Sequence, residues 1–177
     1  MASPVHLRLA PTGAEPRPAA HALLLDLAST LVDDPVLTHD GTGRPRVAGL
    51  AVSISYSHQL VAVAASYDGP LGIDLEEVRP RDVDPIANRW FAPQDLEWLE
   101  RQPDRLRAFL QLWTAKEAAG KALGTGLENG GLRRPTPAGL TVVHLPTTEA
   151  AVLAVALPTP GAGRGASLTL DPPCACG

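Results

Sequence analysis

The feature that most constrains this chain is a change of hydrophobic period near residue 78. Before it, side chains alternate with the period of two expected of strands. Residues 51–57 set Val52, Ile54 and Tyr56 against Ser53, Ser55 and Ser57, and residues 60–65 are almost all apolar, as in a buried strand. Residues 71–78 alternate again, with Leu71, Ile73 and Leu75 on one face and Gly72, Asp74 and Glu76 on the other. After it the chain becomes helical. Asp84-Pro85 supplies an N-cap and N1 pair for a helix over residues 86–91, a short helix follows with Leu96 and Leu99, and Pro103 breaks it. Asp104 then caps a long helix with an apolar stripe of Leu106, Phe109, Leu110 and Trp113, which runs to about residue 123 and stops at Gly124. Strands followed by helices point to an α+β fold: a small antiparallel sheet with helices segregated to one side.

The flanks fit this frame. A strand is expected at residues 5–9 and a helix at 19–31, ended by Asp33-Asp34-Pro35. Strands at residues 141–144 and 151–156 follow the long helix, and the chain beyond residue 158 is rich in Gly and Pro. With 177 residues, 45% hydrophobic but only 4% aromatic, the core must be built from Ala, Leu and Val. The net charge of −4 argues against a nucleic-acid binder. No apolar run approaches the ~20 residues that span a bilayer, and the N-terminus lacks the basic and apolar regions of a signal peptide. A cytoplasmic protein with no membrane partner is expected. Cys174 and Cys176 sit too close to the C-terminus to staple a core.

Charge is distributed unevenly. Only two of the 15 Lys and Arg residues are lysines, Lys116 and Lys121, and they flank Glu117. GC-rich coding accounts for the scarcity of lysine but not for where these two fall. Glu117 and Lys121 lie one helical turn apart, so they form either an ordinary surface pair or part of a site. Asp74 and Glu76 share a strand face, so they are either a solvated edge or a pair that needs a cation between them; a hard divalent ion such as Mg²⁺ suits such oxygens. Arg44 and His58 can each meet a phosphate, although singly such residues are more often surface groups.

Three ordered blocks carry a resemblance: Arg44-Pro45 with Ser55-Tyr56-Ser57-His58, then Gly72-Ile73-Asp74-Leu75-Glu76, then Trp113 to Gly126. The last is similar to the W-x-x-K-E-A-x-x-K-x-x-G-x-G pattern of the 4′-phosphopantetheinyl transferase superfamily at every position. The resemblance covers residues 40–156. One departure is that Gln59 follows His58, where the family usually reads S-H-S.

The resemblance implies the larger type of the family: a pseudo-dimer of two small antiparallel-sheet and helix halves. Residues 1–66 would be a reduced N-terminal half, 67–158 the C-terminal half with the acidic and lysine motifs, and 159–177 a flexible tail. It further implies transfer of the 4′-phosphopantetheine arm from coenzyme A to a serine of an acyl or peptidyl carrier protein, with release of 3′,5′-ADP. Mg²⁺ would be the cofactor, and coenzyme A the co-substrate. Carried over by motif, Asp74, Glu76 and Glu117 would hold the metal. Glu117 and Lys121 would be catalytic. Arg44, Ser57, His58, Lys116 and Lys121 would hold the coenzyme. In the reduced N-terminal half, Arg8, Arg17, Arg44 and Arg46 are the basic residues available to the nucleotide. The chain would act as a monomer or complete its cleft as a homodimer. The rival implication is a family member that binds coenzyme A or a carrier without transfer.

Overall fold

A computed structural model describes residues 3–126, 132–147, 150–159 and 167–170. In chain order the elements are β1 (Val5–Pro11), α1 (Pro16–Ala28), β2 (Thr38–His39), β3 (Pro45–Arg46), β4 (Ala51–Tyr56), β5 (Leu60–Ser66), β6 (Gly72–Glu77), α2 (Asp84–Trp90), α3 (Pro93–Glu100), α4 (Arg105–Leu123), β7 (Leu140–Leu145), β8 (Ala151–Pro158) and β9 (Leu168–Leu170). The fold is α+β, as the change of period requires.

The strands form two principal sheets rather than the single one read from the pattern. One is four-stranded in the order β4-β5-β1-β9; the other is three-stranded in the order β6-β8-β7; β2 and β3 make a separate two-stranded ribbon. Pairing is antiparallel except between β1 and β9. That strand comes from the stretch assigned to the tail, so residues 168–170 complete the first sheet. Cys174 and Cys176 lie outside the described residues.

The two sheets meet face to face through an apolar layer. It contains Leu7 of β1, Ala62 and Ala64 of β5, Ile73 and Leu75 of β6, and Leu153 and Val155 of β8. The opposite face of β5, with Val61, Val63 and Ala65, is covered by Ala20, Leu24 and Leu27 of α1. The opposite face of β8, with Val152, Ala154 and Ala156, is covered by α4. Helices therefore cover the outer faces of both sheets, not one side only. Small residues dominate these layers, which suits a chain with few aromatics and lets backbones approach closely. Phe91, Phe109 and Trp113 form an aromatic cluster at the end of α2 and on α4.

Two helix boundaries differ from the pattern. Helix α1 spans Pro16–Ala28 instead of 19–31, because proline is tolerated in a first turn whose N–H groups have no acceptor. Val83, not Asp84, is the N-cap of α2, and Asp84 places its carboxylate in the first turn, where the helix dipole favours it. The expectation for α4 holds at both ends: the Asp104 side chain accepts from the Arg107 N–H, and Gly124 closes the helix in the left-handed region at φ 72°.

Candidate active site

The site lies where β4 of the first sheet and α4 cross β6. Alternation on β6 sends Ile73 and Leu75 into the layer between the sheets, leaving Gly72, Asp74 and Glu76 toward α4. Helix α4 can lie close because Gly72 has no side chain; a Cβ there would collide with the Ala118 carbonyl oxygen. This contact brings the helix face of Glu117 and Lys121 over the acidic face of β6.

Lys121 reaches across to Asp74, with Nζ 2.7 Å from Oδ1, rather than serving only its own helix. Ser55 of β4 donates to the same oxygen at 3.0 Å. The other oxygen, Oδ2, is buried and has no hydrogen-bond partner among the described residues. Burial raises the Glu117 carboxyl above its ordinary range, and the charges of Asp74 and Glu76 add to this while Lys121 opposes it. Burial also raises Glu76, against the Arg81 guanidinium 3.1 Å away, with Asp74 again pushing upward. Three carboxyl groups thus share one electrostatic field with one ammonium.

The motif implies a divalent ion. Among the described residues, no three His, Cys, Asp or Glu side chains are gathered tightly enough to make a metal cage as they stand. The chemistry nevertheless fits a hard cation: three carboxyl groups on two rigid elements, two of them raised above their ordinary range by burial and by one another's charge, and a buried, unpartnered oxygen on the third.

A cleft of about 580 Å³ opens beside this cluster, lined by Gly43, Arg44, Ile54, Lys121, Gly124 and Thr125. Arg44 belongs to it, but its guanidinium also donates to the Lys121 and Ala122 carbonyl oxygens at the C-terminal end of α4. Arg44 is therefore a helix cap as well as a cationic wall. Lys116 lines not this cleft but one that adjoins it at Gly120, Gly124 and Thr125. Its Nζ stands 2.8 Å from Asp95 Oδ2 and 5.9 Å from the Phe91 ring centroid, and it lines a second cleft of about 350 Å³ with Arg134.

His58 is exposed in the turn between β4 and β5, outside the lining of either cleft. Ser57 donates to Glu77 Oε2 at 2.8 Å instead of facing the cleft. Burial presses the Glu77 carboxyl upward, but this bond, the Gln59 N–H and the nearby His58 hold it below its ordinary value. Of the remaining basic candidates, Arg8 is paired with Asp26 of α1, Arg46 with Asp40, and Arg17 is exposed.

Sequence reasoning missed the joint itself. Ser53 and Ser55 accept the Ile73 and Leu75 N–H groups at 3.0 and 3.1 Å, and Ser57 reaches Glu77. The Ser53 and Ser55 hydroxyls of β4 thereby satisfy two N–H groups on the edge of β6, and Ser57, just past β4, ties down the Glu77 side chain. The signal was present as the Ser53, Ser55, Ser57 alternation, which reads equally well as a solvated face.

Comparison with known proteins places this geometry. A family model described as the 4′-phosphopantetheinyl transferase superfamily matches residues 70–159, which include β6, α4 and β8. The chain is 30% identical over 141 residues to the 4′-phosphopantetheinyl transferase AcpT of Salmonella typhi, covering 76% of this chain and 73% of that protein. It is 40% identical over 83 residues to the 4′-phosphopantetheinyl transferase HetI of Nostoc sp., covering 45% of this chain and 35% of that protein. It is 35% identical over 119 residues to the 4′-phosphopantetheinyl transferase psf-1 of Bacillus pumilus, covering 63% and 50%. The chain belongs to the 4′-phosphopantetheinyl transferase superfamily. It spans only a third to a half of the length of the Nostoc and Bacillus proteins.

Proposed function

We propose that this chain transfers the 4′-phosphopantetheine arm of coenzyme A to a serine of an acyl or peptidyl carrier protein. The observation that carries the proposal is the Asp74–Lys121 pair with its unpartnered Oδ2, set inside the stretch that matches the family. Asp74, Glu76 and Glu117 would hold Mg²⁺, which when bound supplies positive charge against the phosphate oxygens.

In the proposed reaction the carrier serine oxygen bonds to the β-phosphorus of coenzyme A. The bond from that phosphorus to the bridging oxygen breaks, and its electron pair leaves with 3′,5′-ADP. Glu117 suits the role of proton acceptor for the serine hydroxyl, since burial and its acidic neighbours raise its basicity above that of an ordinary carboxylate. Lys121 neutralises phosphate charge and returns a proton to the departing oxygen. Arg44 contributes a second cation on the wall of the same cleft. Such a site acts by alignment and charge compensation, the terms that dominate phosphoryl transfer.

Lys116 would meet the coenzyme from the adjoining cleft, which shares Gly120, Gly124 and Thr125 with the one that holds Arg44 and Lys121, and His58 would meet it from the surface turn after β4. Action in the cytoplasm, where coenzyme A and carriers meet, and as a monomer or homodimer, belongs to the same proposal. The test is to incubate the protein with coenzyme A, Mg²⁺ and a panel of apo-carrier proteins, then weigh each carrier. A gain of the phosphopantetheine mass on a serine is expected; no gain on any carrier, with coenzyme A intact, would refute transfer.

A further inference from the structure

We infer that Ser55 is a positioning residue for the acidic site, holding the Asp74 carboxylate so that one oxygen stays free for a cation. The inference rests on the proposed function, because it assigns the free oxygen to the metal of that reaction.

The argument begins with proton counting. A serine hydroxyl has one proton to give. Ser55 Oγ accepts the Leu75 N–H at 3.1 Å, so its proton is directed elsewhere, and Asp74 Oδ1 receives it at 3.0 Å. Ser55 is 5% exposed and Asp74 6% exposed, so water does not compete for these bonds. Lys121 Nζ meets the same Oδ1 at 2.7 Å. One oxygen therefore takes two donors while Oδ2, buried, takes none among the described residues. A lone ammonium facing a freely turning carboxylate would share itself between both oxygens. The hydroxyl bond, anchored on the β6 backbone, prevents that turn and leaves Oδ2 uncommitted.

The neighbouring serines mark the difference between holding the halves together and orienting a ligand. Ser57, just past β4, also donates to a carboxylate of β6, but to Glu77, off the acidic face. Removing it loosens the joint without touching Asp74.

The experiment is a titration of the purified chain with Mn²⁺, with bound ion read by electron paramagnetic resonance, with and without coenzyme A. Wild type, Ser55→Ala, Ser55→Thr and Ser57→Ala are compared after circular dichroism confirms folding. Ser55→Cys, nearly isosteric but a poor donor, carries the same expectation as Ser55→Ala should the latter not fold. Ser55→Ala is expected to weaken Mn²⁺ about 10-fold or more, the usual cost of losing a group that orients a metal ligand. Ser55→Thr restores most of the affinity, and Ser57→Ala, compared without coenzyme A, keeps it. Equal Mn²⁺ affinity in wild type and Ser55→Ala overturns the inference while leaving the proposed function standing. An equal loss in Ser57→Ala also overturns it, since the joint as a whole would then set the affinity. Failure of wild type to bind Mn²⁺ under either condition overturns the acidic-site reading, and the inference with it.

Discussion

The ammonium of Lys121 and the carboxylate of Asp74, 2.7 Å apart, tie the last turn of α4 to the middle of β6. The pair joins two residues that are 47 positions apart in the sequence and come from separate motif blocks. It leaves Asp74 half-satisfied, with one oxygen occupied and the other open.

Substitutions at this pair are expected to separate charge from shape. Asp74→Asn keeps the size and loses the anion, and transfer to a carrier should fall by ~100-fold or more, as when a preorganised charge is removed from a reacting centre. Lys121→Arg keeps the charge, but its planar fork cannot replace a compact ammonium against Oδ1 and the transferred phosphate, so activity should fall clearly as well. Mass spectrometry of the modified carrier checks both. Near-wild-type rates in Asp74→Asn would remove this carboxylate from the mechanism.

Stability should depend on pH through Glu117 and Glu76. Both carboxyls are raised in the folded state, chiefly by burial, so the folded chain holds these protons more tightly than the unfolded chain does. Their contribution is fully present below the ordinary value of 4.5 and is lost as pH rises through the higher folded values. Glu117→Gln removes one of these buried charges. In the absence of divalent ions its melting temperature at pH 7.5 should equal or exceed that of wild type, with the difference shrinking at pH 5. Addition of Mg²⁺ should stabilise wild type and leave Glu117→Gln nearly unmoved. Thermal melts at the two pH values, with and without Mg²⁺, check this; a large destabilisation of Glu117→Gln without metal would assign Glu117 to the fold instead.

Much of this arrangement was legible in the sequence, and the gaps have physical causes. Strand alternation at 71–78 put Asp74 and Glu76 on one face, and capping signals at Asp104 and Gly124 bracketed α4. These are local effects, decided within a turn or a pleat. What period alone could not show was where β4 goes. Its serines read as a solvated face because nothing local reveals that another strand's edge will lie against them. The same holds for Arg44, whose carbonyl acceptors are 77 and 78 positions away, and for residues 168–170, where three residues carry too little pattern to announce a strand.

Gly72 is expected to be the position where the site is most sensitive to volume. An added Cβ meets the Ala118 carbonyl oxygen and the Ala122 nitrogen, both backbone atoms of a long helix that cannot swing aside. Gly72→Ala should therefore cost ~1–3 kcal/mol, the range for overpacking a filled interior. For a chain of this size that lowers the melting temperature by about 2–4 °C per kcal/mol. Separation of α4 from β6 should also weaken divalent binding. An unchanged melt would mean that the helix yields at no cost.

The end of α4 offers a test of coupling between distant parts of the chain. Gly124 has a positive φ of 72°, and a Cβ there would also strike the Arg44 guanidinium. Gly124→Ala thus carries two costs: about 1 kcal/mol for the left-handed backbone, which is intrinsic to the residue, and a clash, which depends on Arg44. Arg44→Ala has a cost of its own, about 0.3–1 kcal/mol for a cation removed from a helix C-terminus, together with its bonds to the Lys121 and Ala122 carbonyls. In the double variant the clash is absent, and the Gly124→Ala cost should shrink toward the backbone value alone. Urea denaturation of wild type, the two single variants and the double variant measures the interaction energy, which should be non-zero and favour the double variant over the sum. Strict additivity would show that Arg44 is not seated on the helix end in solution. The cleft between Arg44 and Lys121 would then owe its shape to some other contact.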